Sequence, residues 1–411
     1  MLAPARTRLA LLALAIGGFG IGCTEFVVLG LLPNIGHDLL PGLSPTDANA
    51  RVGLLASAYA LGVVVGAPTI AAFAARFPRK KLLVVLAAAF TFFTVLSAVL
   101  PTFGLVLAAR FLAGLPHGAY FGIAALVAAE LMGPGKRAAG VAFVLVGLTS
   151  ANVIGVPLIT FLGQSTNWRV AYLAVAAVFA VTLVLLAAFL PHQPGDPAAT
   201  MKRELAAFGR AQVWLTLVMG AIGFGGFFAV YTYVSPLATD VAMLPAAVVP
   251  IVLVVFGLGM TFGNLLGGWL ADRGTIRSMY VFFALFVVSL VELILASHSA
   301  VGLFVGVFLV GLSTSGLAPS IQTRLMDVAG DSQTLGAAAN HSALNIGNSL
   351  GAYLGGVVIA AGLGYVAPVW VGLVLCVPGI ALLTASALLQ RRRGGTIDGS
   401  HRAPIVPVNA E

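Results

Sequence analysis

Charge is what this chain has least of. Only 8% of its 411 residues are Asp, Glu, Lys or Arg, where a soluble domain carries about 25%. That shortage excludes a water-soluble fold, because too few polar groups exist to cover the apolar surface. Cysteine is nearly absent as well. Cys23 and Cys376 lie far apart in apolar runs, so no disulfide framework is implied. No G-x-x-x-x-G-K-[ST] phosphate loop occurs, which removes ATP as the energy source. The sequence offers no nucleophile–base set and no metal-ligand cluster, so the expectation is no enzyme, no metal and no cofactor. The net charge of +8 does not signal nucleic acid, because the excess is spread over loop ends.

Apolar residues fill the space that charge leaves, at 60% of the chain. A membrane helix needs about 20 of them in a row. Twelve such spans are predicted, at 9–32, 50–75, 81–101, 103–131, 138–163, 168–190, 211–238, 245–271, 278–297, 299–323, 333–362 and 365–389. The expected fold class is an all-α integral membrane protein with twelve transmembrane helices. The first span imitates a secretory signal, with Arg6 and Arg8 before an apolar run and Gly20-Ile21-Gly22-Cys23 as a cleavage-like box. The run continues through Phe26-Val27-Val28-Leu29, too far for a signal core, so it is read as a span.

Basic residues set the orientation. Alternate loops and ends, including Arg76, Arg79, Lys80, Lys81, Lys136, Arg137, Lys202, Arg273 and Arg391, hold 18 of the 21 lysines and arginines. The opposite ends hold only Arg51 and Arg169. Positive-inside logic puts the basic face, and both termini, in the cytoplasm. Residues 191–210 are the one long internal polar stretch, broken by Pro191, Pro194 and Pro197. The expected organisation is a six-helix half at 1–190, a cytoplasmic linker at 191–210, a second six-helix half at 211–390 and a disordered cytoplasmic tail at 391–411. The end of the second span, A-A-F-A-A-R-F-P-R-K-K, mirrors the end of the eighth, G-G-W-L-A-D-R-G-T-I-R. Repeats of this kind place the binding site near the bilayer midplane, between the halves.

Arg110 stands inside the fourth span. It shares a helical face with Gly114, His117, Gly118 and Phe121. An arginine at this depth costs roughly 3 kcal/mol on insertion scales and cannot shed its charge. It must meet a wet cavity or a carboxylate; snorkelling to a headgroup belongs to helix ends. Glu25 is the expected partner. At 1.5 Å rise per residue the two lie within about 4 Å in depth across a ~30 Å core. The pair can couple proton movement, act as a static lock between helices, or fail to touch. His117 can relay a proton, space helices through a hydrogen bond, or contact substrate. Glu130 is expected in solvent and Glu292 at an interface.

Gly268-Trp269-Leu270-Ala271-Asp272-Arg273-Gly274 resembles the loop motif G-x-L-A-D-R-x-G-R of the major facilitator superfamily. Arg110-Phe111-Leu112-Ala113-Gly114 resembles its fourth-span motif R-x-x-q-G. Gly147 through Gly155-Val156-Pro157 resembles the fifth-span antiporter motif G-x(n)-G-P-x-x-G, with Val156 inserted. Gly22-Cys23-Thr24-Glu25-Phe26, Gly114-Leu115-Pro116-His117-Gly118 and Asn345-Ile346-Gly347-Asn348 are similar to bacterial drug:proton antiporters of the arabinose-efflux and chloramphenicol-resistance type. The first loop copy departs from the family: Ala75 replaces its Asp, Ala71 a Gly and Pro78 the next Gly.

The resemblance implies a cavity lined by the first, fourth, seventh and tenth spans. It implies proton coupling through Glu25, Arg110 and His117. Substrate contacts are expected from Thr24, Tyr120, Phe227, Tyr231, His341, Asn345 and Asn348. Gating is expected from Arg76, Arg79, Gly155, Pro157, Gly268, Asp272 and Arg273. Phe224, Phe227, Phe228 and Tyr231 form one helical stripe, open to a packing or a pocket role. Gly62 and Gly66, Gly259, Gly263 and Gly267, and Gly347, Gly351 and Gly355 recur every four residues, which allows close helix approach. That approach is expected between the two halves. The implied function is proton-coupled export of a small amphipathic or neutral compound, such as a chloramphenicol-like antibiotic. The implied setting is the bacterial inner membrane. Partners would be substrate, protons and the lipid bilayer, with no nucleic acid, and the chain would act as a monomer. A sugar or metabolite exporter of the same fold and a non-transporting membrane sensor are the alternatives.

Overall fold

The computed structural model describes residues 4–195 and 200–392, and every regular element among them is helical. Twelve long helices follow in order: α1 (Pro4–Gly30), α2 (Pro45–Ala74), α3 (Arg79–Val99), α4 (Phe103–Met132), α5 (Arg137–Ser165), α6 (Trp168–Phe189), α7 (Ala211–Tyr231), α8 (Val249–Ala271), α9 (Thr275–Ala296), α10 (Ala300–Ala329), α11 (Gln333–Ala360) and α12 (Ala367–Arg392). Eleven are long and apolar enough to cross a membrane. The exception is α11, at 28 residues. Its hydropathy is diluted by Asn340, His341 and Asn345, and all three are buried inside the protein. A polar spanning helix is tolerated when its polar side chains face the bundle rather than lipid.

The helices pair in a pattern that occurs twice. In the first six, α1 packs on α5 and α6, α2 on α4, and α3 on α4 and α6. In the last six, α7 packs on α11 and α12, α8 on α10, and α9 on α10 and α12. Two further seams join the sets, α5 with α8 and α11 with α2 and α4. Among the eleven apolar spans, the most enclosed are α1, α4, α7 and α10, with 72%, 83%, 61% and 61% of their most apolar stretch buried against 33–44% for the others. Every third helix is therefore central.

The glycine ladders do not lie where expected. Gly62 and Gly66 of α2 meet the backbone of Phe111, Gly114 and Leu115 on α4. Gly259, Gly263 and Gly267 of α8 meet Phe308, Leu312 and Gly316 on α10, while Gly347 and Gly351 of α11 meet Ala221 and Gly225 on α7. All three ladders hold helices within one set of six. The glycines between sets are others: Gly118 and Gly122 against Ala338, Gly257 against Val153, and Gly268 against Ala138 and Ala142.

Three boundaries shift. The seventh span, predicted to 238, stops at Tyr231 and is followed by the short helical pieces Val234–Pro236 and Leu237–Val241. The polar stretch 191–210 is not all loop. It forms a helical turn at Met201–Leu205 and another at Ala206–Gly209, and Ala207 packs with Ala67, Ala71, Ala72, Leu335 and Ala338. Arg391 and Arg392 belong to α12; residues 393–411 of the expected tail and 196–199 of the linker lie outside the described residues.

The residue inserted in the fifth-span motif has a structural counterpart. Residues Ala151–Gly155 form a π turn, in which the Val156 amide donates to the Ala151 carbonyl five residues back. One extra residue in a helix produces such a turn. Pro157 starts the next stretch, Val156–Ser165, where its missing N–H breaks the ladder. Gly155 sits against Cys23 and Phe19 of α1.

Candidate functional site

Arg110 is fully buried. Its guanidinium donates to Thr24 Oγ1 at 2.9 Å and to the Thr24 carbonyl at 2.8 Å. It lies over the Tyr59 ring at 4.5 Å and near the Tyr172 ring at 5.6 Å. Its Nε has no partner. The expected contact with Glu25 is not made: among the described residues Glu25 forms no ion pair and no hydrogen bond. The depth argument holds, since Thr24 precedes Glu25. Successive helical residues point about 100° apart, so Thr24 faces α4 while Glu25 turns to a cavity. Thr24 thus positions Arg110 and does not line that cavity.

The cavity lies where α1, α4, α5, α7, α8 and α11 converge. Its wall contains Glu25, Phe26, His117, Leu148, Asn152, Phe224, Phe227, Phe228, Tyr231, Met260, His341, Leu344, Asn345 and Asn348. The stripe on α7 is therefore pocket wall. Its rings also pack together, with Phe227 stacked on Tyr231 at 5.4 Å and Phe26 edge-on to Tyr231 at 6.5 Å. His341, Asn345 and Asn348 of α11 line the wall, whereas α10, contrary to expectation, supplies no lining residue. Tyr120 is absent too. Its hydroxyl donates to the Leu14 carbonyl at 3.1 Å and its ring meets Phe90 edge-on, which makes it a tie between α4 and α1.

His117 and His341 form the floor. Tyr59 Oη and His117 Nδ1 are 3.0 Å apart. The His117 and His341 rings are 5.2 Å apart, and His341 stacks on Phe121 at 4.4 Å. His341 Nε2 and Asn345 Oδ1 are buried without partners. Asn345 Nδ2 donates to the His341 carbonyl at 3.0 Å. Glu25, Phe26, Tyr231 and Asn348 are only partly buried. The cavity measures about 70 Å³. That is room for a few waters and far below the 300–1,000 Å³ typical of ligand pockets. A substrate requires it to expand.

Below the floor the two sets of helices are closed together. Gln322 Nε2 donates to the Phe121 carbonyl at 3.5 Å, and Ser342 Oγ to the Val64 carbonyl at 3.2 Å. At the basic face, Asp272 at the end of α8 accepts the amides of Ala138 at 2.7 Å and Ala139 at 3.0 Å, in the first turn of α5. A carboxylate at a helix N-terminus satisfies free amides and complements the helix dipole. Burial raises the Asp272 carboxyl above its ordinary range, against the pull of those amides and of Arg273 and Arg137. Arg137 reaches Asp327 at 3.5 Å and Gln333 at 3.4 Å.

The corresponding seam at α2 and α11 is built differently. With alanine at 75, the end of α2 offers no acid, and Ala67, Ala71 and Ala72 pack on Leu335 and Ala338. Ser332 precedes α11 without a side-chain cap. Arg76 stacks on Phe73 and Phe77, both at 4.8 Å. Arg79 pairs with Glu130, which also accepts from Gln193 at 3.0 Å; Glu130 is engaged rather than simply solvated. Arg273 lies over Trp269 at 3.6 Å.

Tyr59, Phe26 and Asn152 were not legible as site residues. The one available signal is for Tyr59, a tyrosine well inside a span, when such residues concentrate at interfaces.

Comparisons with known proteins agree with this architecture. The family model described as Major Facilitator Superfamily matches residues 14–331 and 243–408. The chain is 38% identical to the inner membrane transport protein YdhP of Escherichia coli K12 over 91% of its length and 94% of that protein. It is 31% identical to a chloramphenicol resistance protein of Streptomyces lividans over 92% of its length and 95% of that protein. Among solved structures, the proton:xylose symporter XylE superposes with a TM-score of 0.74 over 94% of this chain and 96% of that one, at 14% identity.

Proposed function

The chain belongs to the major facilitator superfamily of membrane transporters, and we propose that it is a proton-coupled exporter of a small amphipathic or neutral compound at the bacterial inner membrane. One observation carries the reading. Among the described residues of the cavity wall Glu25 is the single acid, and it has no ion-pair partner. A carboxylate so placed binds a proton when the cavity is dry and releases it when water or a cation reaches it. Arg110, held on Thr24 beside it, supplies the positive potential that makes release possible. The aromatic wall from α7 suits an apolar ring, and Asn152, Asn345 and Asn348 suit hydrogen-bonding groups on its rim. The similarity to a chloramphenicol resistance protein makes a chloramphenicol-like compound the first substrate to try.

Transport follows from rocking of the halves 1–190 and 211–390 about this cavity. The conformation described is shut at the basic face, taken as cytoplasmic. Opening there must break the Asp272 bonds and part α4 from α11. The test uses proteoliposomes with an imposed pH gradient and labelled chloramphenicol, beside binding in detergent. Wild-type protein should accumulate or expel the compound against its gradient, and Glu25→Gln should bind it but lose uphill movement. Full gradient-driven transport by Glu25→Gln removes Glu25 from coupling. Uphill transport of a hexose by the wild type, with none of chloramphenicol, favours the sugar or metabolite exporter.

A further inference from the structure

A larger hollow lies at the basic face, outside the central cavity. It measures about 610 Å³ and runs between the start of α5 and the end of α8. Its rim carries Lys136 from the first six helices and Arg273 from the last six, both exposed. Neither cation has an ion-pair partner among the described residues. Asp272 also borders the hollow; its oxygens accept the Ala138 and Ala139 amides, and its charge offsets part of the field of Arg273. Arg273 is held in place by its bond to the Trp269 carbonyl at 2.8 Å and by stacking on that ring. The inner wall is apolar. Leu265 and Trp269 are 47% and 54% exposed on a helix that crosses the membrane.

We propose that this hollow binds one anionic phospholipid, its phosphodiester between Lys136 and Arg273 and its acyl chains along Leu265 and Trp269. Three features point to a lipid rather than a free anion. The two cations stand at the ends of spanning helices, Leu265 and Trp269 carry the hollow along the span, and an exposed tryptophan suits a headgroup interface. Basic pockets between spanning helices at this level suit phosphate headgroups. The occupant would touch both sets of helices beside the Asp272 bonds, so it would favour the shut basic face. This inference does not depend on proton coupling at Glu25.

The test is native mass spectrometry of the purified full-length chain, offered equal phosphatidylglycerol and phosphatidylcholine in detergent. Retention should favour phosphatidylglycerol about thirtyfold, the ratio that corresponds to roughly 1 kcal/mol for each of the two basic residues. The double variant Lys136→Gln/Arg273→Gln should bring the ratio near one, while Lys80→Gln/Lys81→Gln should preserve it. No preference in the wild type, or a preference that the first double variant keeps, overturns the proposal. Displacement of the bound lipid by millimolar inorganic phosphate also overturns it, as the mark of a bare anion site. Where the double variant does not fold, brominated acyl chains decide. Brominated phosphatidylglycerol should quench the wild type more than brominated phosphatidylcholine does, and Trp269→Phe should remove that difference. Equal quenching by the two lipids counts against the site.

Discussion

His117 of α4 and His341 of α11 face each other across the seam between the two sets of helices, their ring centroids 5.2 Å apart. Around them stand Tyr59 from α2 on His117 Nδ1, Phe121 from α4 on the His341 ring, and Glu25 and Asn345 in the same cavity wall. Arg110 lies behind Tyr59. Two imidazolium charges at that separation repel by about 3 kcal/mol at an effective dielectric near 20. The shut seam therefore disfavours two imidazolium cations at once. His341→Arg should force the basic face open, since a cation that cannot shed its charge requires water there, whereas His341→Gln should leave it shut. The reporter is Leu335→Cys, buried in the seam, on a background where Cys23 and Cys376 are themselves buried. Equal labelling rates in the two histidine variants would show that charge at 341 does not control the seam.

Thr24 is the partner that makes Arg110 tolerable. Thr24→Val keeps the shape and removes one of its two acceptors, which should cost roughly 1.5–3 kcal/mol for a bond to a charged group. Thr24→Ser should stay near wild type. Arg110→Lys should recover little, because an ammonium cannot span both acceptors as a planar fork does. Thermal unfolding in detergent measures all three. A Thr24→Val midpoint equal to that of wild type means that Arg110 takes its stability from elsewhere.

Much of the molecule was visible in the sequence, and what was missed follows from geometry. Spans are legible because length and hydropathy suffice against a bilayer of fixed thickness. The depth of Arg110 was right, and its partner was misassigned by a single residue, since one step along a helix turns the side chain by about 100°. The glycine spacing revealed close approach but not the neighbour, so the ladders were assigned to the wrong seam. Tyr120 carried no mark to separate a tie to the Leu14 carbonyl from a cavity role. The wall residues of α11 were legible from their polarity, which is also what hides this helix from a hydropathy criterion.

The two loop copies predict unequal effects. Asp272→Asn leaves one acceptor for two amides, so the shut basic face should weaken and export should fall. Ala75→Asp enters a seam that closes through apolar packing at Leu335 and Ala338, and should change export less. Initial rates in proteoliposomes compare them. Equal and negligible changes would reduce the loop to a topology signal.

Orientation has its own test. With 18 of 21 basic residues assigned to one side by the order of the spans in the sequence, a cysteine at Lys202 should react with an impermeant maleimide only after the cells are opened. Reaction in intact cells would reverse the assignment and, with it, the side on which the cavity is shut.

The sharpest comparison sets two glycines against each other. A Cβ at Gly122 would stand 2.7 Å from the Ala338 amide nitrogen, across the seam that the proposed rocking would part. A Cβ at Gly263 would stand 2.8 Å from the Leu312 carbonyl carbon, between α8 and α10 in the same set of six. Both substitutions force backbones apart, and overpacking of this kind costs roughly 1–3 kcal/mol. The cost should appear in different places. Gly263→Ala has no alternative packing to adopt and should lower the unfolding midpoint. Gly122→Ala can relieve its clash by moving the two sets of helices apart at the basic face. It should keep a midpoint nearer wild type while raising the labelling rate of Leu335→Cys. The reverse pattern, a lowered midpoint for Gly122→Ala with Leu335→Cys still protected, would mean that α4 and α11 form a permanent contact and that the moving seam lies elsewhere.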